Sequence, residues 1–161
     1  MDHVDTIIAQ WKRELPALDT QPMALVGRLK RVGQYLSVGM DKTFKRFGLN
    51  SASFDVLATL RRSGAPFALT PSALMKTMMI TSGTMTNRVD QLQKVLLVER
   101  INNPDDGRGF LIQLTPKGLA LVNQVVVAHI ETQKSLVSPL SDNERQQLND
   151  LLRRFLVSLE N

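Results

Sequence analysis

The chain has 161 residues, of which 43% are hydrophobic and 22% charged, and it carries a formal net charge of +5. That composition describes a soluble globular chain long enough to bury a core, with a charge that favours polyanionic partners. It contains no cysteine, which excludes disulfides, thiolate metal sites and cysteine redox chemistry.

Val4, Ile7, Ile8, Trp11 and Leu15 recur at helical spacing and predict an amphipathic helix over about 3–15. A loop from Pro16 to Pro22 precedes a longer helix over about 23–47. Leu25, Leu29, Val32 and Leu36 share one of its faces, and Gly48 follows as a C-terminal cap. Ser51 is placed to cap a helix over about 52–63, with Phe54, Leu57 and Leu60 inward and Gly64 at its end. Residues 65–69 suit a small edge strand. Thr70-Pro71 is a cap followed by proline at the first helical position, which opens a helix over about 71–79. After a break at Ile80-Thr81 comes a helix over about 82–97. Strands over about 98–102 and 110–114 flank a turn of Asn, Pro, Asp and Gly. Thr115-Pro116 repeats the cap-plus-proline signal for a helix over about 116–136. Ser141 and Glu144 form a capping box for the last helix, about 142–159.

The expected fold is therefore mainly α, a winged helix-turn-helix with a small β-hairpin wing. The whole chain, 1–161, reads as a single domain with the DNA-binding winged helix at about 50–115. The flanking helices, about 3–47 and 116–160, form a dimerisation region. Leu148, Leu151, Leu152, Phe155, Leu156 and Leu159 make a wide apolar stripe on the last helix, and the first helix carries another. A small winged helix cannot cover both, so a two-fold homodimer is expected.

In the helix over 82–97, Met85, Val89, Leu92 and Leu96 set the buried face. The other faces present Ser82, Thr84, Thr86, Asn87, Arg88, Gln91 and Lys94. Hydroxyl, amide and guanidinium groups pair with base edges and phosphates, and the major groove admits one such helix. The N-terminal part of a recognition helix lies nearest the bases, which selects Ser82, Thr84, Asn87 and Arg88. The wing tip carries Arg108, suited to a narrow minor groove, with Asp106 placed to hold it extended.

Residues 54–122 resemble the MarR family of bacterial winged-helix regulators, through LTPSALMKTMMITSGTMTNRVDQLQKVLLVERINNPDDGRGFLIQLTPKGLAL. The family's Asp-x-Arg wing element falls on Asp106 and Arg108. Two departures stand out: Gly107, where many members carry a second arginine, and Leu97, read as the position where the family usually has glycine. The texts WKRELPALDTQPMALVGRLKR and VVVAHIETQKSLVSPLS extend the resemblance to the urate-responsive branch of that family. Carried over by position, that branch's ligand-site tryptophan, aspartate, hydroxyl residue and arginine fall on Trp11, Asp55, Thr86 and Arg88. An indole offers a stacking face and an arginine a fork for the oxygens of a planar anion such as urate.

The resemblance implies a double-stranded DNA-binding regulator, released from a palindromic operator by a small aromatic anion. The alternatives are a regulator of the same family that senses phenolic acids or drugs, and a ligand-independent architectural DNA-binding protein. No catalytic constellation or phosphate loop is visible, so no enzyme and no cofactor is expected. His3 and His129 have no metal-ligand spacing, so no metal site is expected either. The N-terminus carries Asp2 and Asp5 and lacks the pattern of a signal peptide. No apolar run is long enough to cross a membrane, and the cytoplasm is the expected address.

Overall fold

The computed structural model describes every residue except Ile80, Asp105, Arg108 and Asn161. Two compact units divide the chain, residues 1–39 and 40–161.

The first unit contains α1 (His3–Glu14) and most of α2 (Gln21–Arg46). Asp2 caps α1 through a reciprocal capping box with Asp5, satisfying two backbone donors at the helix end. Arg28 of α2 reaches back to both acids, with its Nε 2.8 Å from Asp2. Val4 is buried against Gly27, where an added Cβ would touch it at 3.5 Å. The predicted apolar face of α2 is not covered by this chain: Leu25 and Val32 stay exposed.

The second unit is built around α3 (Ser51–Arg62), which packs on α4 (Pro71–Met78), α5 (Ser82–Lys94), α6 (Pro116–Val137) and the sheet. Its Val56, Leu57 and Leu60 are fully buried. The helix cap is Asn50 and not the expected Ser51: the Asn50 side chain accepts from the Ser53 amide at 2.8 Å. Both residue types cap well, and Asn50 holds the extended backbone that a cap requires. Gly48 has φ 69° and ends α2 as expected.

Three antiparallel strands lie in the order β1 (Ala68–Leu69), β3 (Phe110–Leu114), β2 (Val98–Asn102). The expected edge strand is present but shorter, with Ala68 opposite Gln113. The hairpin register pairs Val98 with Leu114 and Asn102 with Phe110.

The end of α5 corrects two expectations. The helix stops at Lys94, and Leu96 takes the left-handed conformation at φ 61°. Its side chain is 66% exposed, so it does not continue the buried face. Leu97 is instead buried at 4%, with ordinary backbone. The conformation that favours glycine therefore belongs to position 96 and not 97.

Thr115 caps α6 through the Gly118 amide at 3.0 Å. An added Cβ at Gly118 would lie 1.9 Å from the Leu97 carbonyl oxygen. The helix start is thus pressed onto the chain entering the wing. The capping box opens α7 (Asp142–Glu160), with the Ser141 amide donating to Glu144 at 2.8 Å. No residue of α7 is buried by this chain.

Candidate nucleic-acid interface and effector site

Thr81 adopts extended backbone and starts α5, its hydroxyl donating to Thr84 at 3.0 Å. Met85, Val89 and Leu92 turn inward. Ser82, Thr84, Thr86 and Asn87 are exposed, and Arg88 is half-buried. Gln91 Nε2 donates to Asn87 Oδ1 at 3.0 Å, which occupies the oxygen of this exposed amide and keeps its N–H groups as donors suited to a base edge. The first turns of α5 thus present hydroxyls and an amide on a rigid element, the chemistry that major-groove reading requires.

The wing turn is closed by backbone hydrogen bonds: Asn103 N–H to Gly109 at 3.0 Å, and Gly109 N–H to Asp106 at 2.9 Å. Asp106 and Gly107 are exposed at its tip. Arg108 lies outside the described residues. Behind the turn, Arg100 of β2 ties the wing to α5. Its Nη2 donates to Asp90 at 2.6 Å, and its Nη1 donates to Gln93. The same guanidinium lies over the Phe110 ring, 5.6 Å from its centroid. Asp90, Gln93 and Arg100 did not stand out in the sequence as a group, because only the strand's register brings β2 alongside α5.

Asp55 and Arg88 are brought together across the packing of α3 on α5. Asp55 is an exposed residue, yet desolvation by the chain packed around its base raises its carboxyl above the ordinary value, and Arg88, Arg62 and His129 pull it part of the way back. Thr86 is exposed, directly after inward Met85 and two residues before Arg88. Trp11 lies on α1, in the first unit, and is 40% exposed.

Two further groups join this neighbourhood without having been singled out in the sequence. His129 of α6 stacks on Phe44 and Phe54, at 5.2 and 5.0 Å between centroids. Its Nδ1 is buried without a hydrogen-bond partner among the described residues, and burial holds its pKa below the usual histidine value. Arg62 stands two turns beyond Asp55 on the same face of α3, a spacing visible in the sequence. Asp55 and Arg62 line a cavity of about 260 Å³.

A larger hollow of about 600 Å³ lies between Phe47–Asn50, the end of α5 and the start of α6. Two of its polar groups are already spent on helix ends: Lys117 donates to the Val95 carbonyl at 2.9 Å, and Asn50 caps α3. Size alone does not make it the effector site, and the charged groups gather around Asp55. Among the described residues no cluster of histidine and carboxylate side chains could hold a metal ion.

The comparisons with known proteins agree with this arrangement. A family model described as the MarR family matches residues 47–109. The chain is 40% identical over 158 residues to the HTH-type transcriptional regulator PecS of Dickeya dadantii, covering 98% of this chain and 95% of that protein. It is 31% identical over 109 residues to the multiple antibiotic resistance protein MarR of Escherichia coli, covering 67% of this chain and 74% of that one. Among solved structures it is similar to a mutant MarR from Escherichia coli complexed with operator DNA. That match has a TM-score of 0.72 and 27% identity, over 91% of this chain and 97% of that chain. A MarR-like transcription regulator from Bacillus cereus matches with a TM-score of 0.76 and 26% identity, over 88% of this chain and 99% of that chain. The chain belongs to the MarR family of winged helix-turn-helix, DNA-binding transcriptional regulators, and is not an enzyme.

Proposed function

We propose that this regulator is a homodimeric repressor whose hold on a palindromic operator is released by a small aromatic anion of the urate type. The observation that carries the reading is the double position of Arg88. It stands on the recognition helix among exposed Thr84, Thr86 and Asn87, and its charge acts on the carboxylate of Asp55, an exposed residue of α3. An anion that engages Arg88 in competition with Asp55 acts directly on the element that reads DNA. It shifts the protein toward release only by binding the DNA-incompetent state more tightly, with coupling of about 1–3 kcal/mol in typical cases.

In this reading Ser82, Thr84 and Asn87 face base edges. Asp106 and Arg108 form the wing contact. Trp11, Asp55, Thr86 and Arg88 serve the ligand, Trp11 by stacking. The identity to PecS over nearly the whole chain supports the urate-type assignment. The exposed apolar stripe of α7, with Leu148, Leu152 and Phe155, supports the dimer. It matches the kind of face that a symmetric copy covers. With a net charge of +5 per chain, DNA affinity falls steeply with added salt.

The test measures affinity for a duplex recovered by in vitro selection with this protein, with and without urate, for wild type and Arg88→Ala. Loss of the urate response with DNA binding retained supports the double role. Wild type that is indifferent to urate but released by salicylate points to a phenolic ligand. Indifference to both sinks the effector reading.

A further inference from the structure

The cavity of about 260 Å³ beside Asp55 spans two elements. Asp55, Thr59 and Arg62 come from α3, and Thr77 and Met78 from the last turn of α4. Its volume is below the range of about 300–1,000 Å³ usual for drug-sized ligands, so it suits a compact ring system.

The hydrogen-bonding inventory of the wall is unequal. Arg62 Nη2 donates to Thr59 Oγ1 at 3.1 Å, which aims the guanidinium and leaves most of its five N–H groups without a hydrogen bond among the described residues. Thr77 donates its own proton to the Ala73 carbonyl at 2.8 Å. Its oxygen therefore faces the cavity only as an acceptor. Ionised Asp55 is an acceptor as well. One wall thus offers a cationic fork, and two other groups offer only lone pairs.

We propose that Arg62 and Thr77 are specificity-determining residues of the effector site, Arg62 holding the ligand's anionic oxygen and Thr77 accepting a ring N–H. This rests on the effector site proposed above. The class selected is a compact planar anion that carries N–H groups beside its charged oxygen. Phenolic carboxylates lack those N–H groups and offer no donor to the acceptors of Thr77 and Asp55. A site built around polar partners rejects an analogue that cannot supply them more strongly than an apolar pocket rejects a change of shape. The division of labour also follows: Arg62 sets ligand affinity, and Arg88, on the reading helix, couples the ligand to DNA. Because α4 leads through left-handed Met79 into α5, a ligand spanning α3 and Thr77 also bears on the turn between the two helices.

The experiment titrates the full chain with urate and with salicylate by calorimetry, for wild type, Arg62→Gln, Arg62→Lys and Thr77→Val. DNA affinity without ligand and the thermal midpoint are measured alongside. Arg62→Gln is expected to weaken urate about tenfold or more, with Arg62→Lys falling between it and wild type because charge without a fork is only part of the contact. Thr77→Val is expected to weaken urate about fivefold and to leave salicylate unchanged. Ligand-free DNA affinity should stay within about twofold, as for surface substitutions away from the reading face. Wild-type urate affinity in both Arg62→Gln and Thr77→Val overturns the inference and leaves the effector reading standing. Wild type that prefers salicylate to urate overturns it too. Wild type that binds neither overturns the effector reading itself.

Discussion

Arg100 Nη2 lies 2.6 Å from the Asp90 carboxylate, so the first strand of the wing is fastened to the recognition helix by an ion pair. Gln93, one turn further along α5, accepts from the other nitrogen of the same guanidinium. The two surfaces that touch DNA in a winged helix are thereby held at one angle.

Because Arg100 and Asp90 are both partly exposed, with 30% and 48% of their side chains accessible, the pair adds no more than about 1 kcal/mol to stability. Its larger effect is positional. Asp90→Asn removes a negative charge from a DNA-binding face, which on charge alone would raise DNA affinity. The expected result is the opposite: a loss of about tenfold, equivalent to about 1.4 kcal/mol, with the unfolding midpoint nearly unchanged. Fluorescence anisotropy at fixed salt measures it. A gain in affinity would show that the pair does not position the wing.

Gly118 has no room for a side chain. Its Cβ would sit 1.9 Å from a backbone oxygen, that of Leu97, and backbone cannot swing aside as the end of a flexible side chain can. Gly118→Ala should therefore destabilise the chain by about 3 kcal/mol, the upper part of the range for overpacking, although alanine is the better helix former. Urea denaturation tests this. A stabilised Gly118→Ala would mean that α6 can lift from the wing entry without cost.

Much of the architecture was legible because the chain writes its helix starts in local chemistry. Thr70-Pro71, Thr115-Pro116 and the Ser141–Glu144 box each sit where a helix begins. The strand pair 98–102 and 110–114 followed from its turn residues. Local pattern failed where the chain leaves a periodic element. Leu96 continues the spacing of Met85, Val89 and Leu92, yet the helix has already ended and the side chain points out. At Asn50 two good capping residues compete, and only backbone geometry decides between them. In the proposed effector site, the sequence suggested Asp55 and Arg88 but not Thr77. It joins Asp55 only because α4 packs across α3, and that is tertiary information. The arginine at the wing tip, Arg108, lies outside the described residues.

The His129 stack predicts a pH dependence with a definite sign. Burial against Phe44 and Phe54 depresses its pKa, and the Asp55 charge offsets this only in part. The folded state therefore binds fewer protons here than the unfolded chain does. Stability is complete above the unfolded histidine value of about 6.5 and declines as pH falls from there toward the lower folded value. Asp55 contributes the opposite slope, since its raised pKa favours the folded state at acid pH, near the ordinary carboxylate range. His129→Phe keeps an aromatic ring against the stacked pair Phe44 and Phe54 and removes the titration. Denaturant midpoints between pH 7 and pH 5 should fall for wild type and fall less for His129→Phe. Parallel curves for the two proteins would rule out His129 as the source.

The last helix carries its apolar side chains on the outside. Phe155 is 45% exposed and Leu152 41%, on an element that buries nothing against its own chain. A stripe of this kind is stable in water when a second copy covers it. Phe155→Glu places a carboxylate in that contact, where burial of an unpaired charge costs several kcal/mol. Since α7 contributes nothing to the core of its own subunit, the variant should keep its helical circular dichroism while sedimenting as a monomer. Its affinity for a palindromic duplex should fall toward that for a single half-site, because the second half-site is reached only through the dimer. A Phe155→Glu variant that sediments as a dimer would move the subunit contact away from α7.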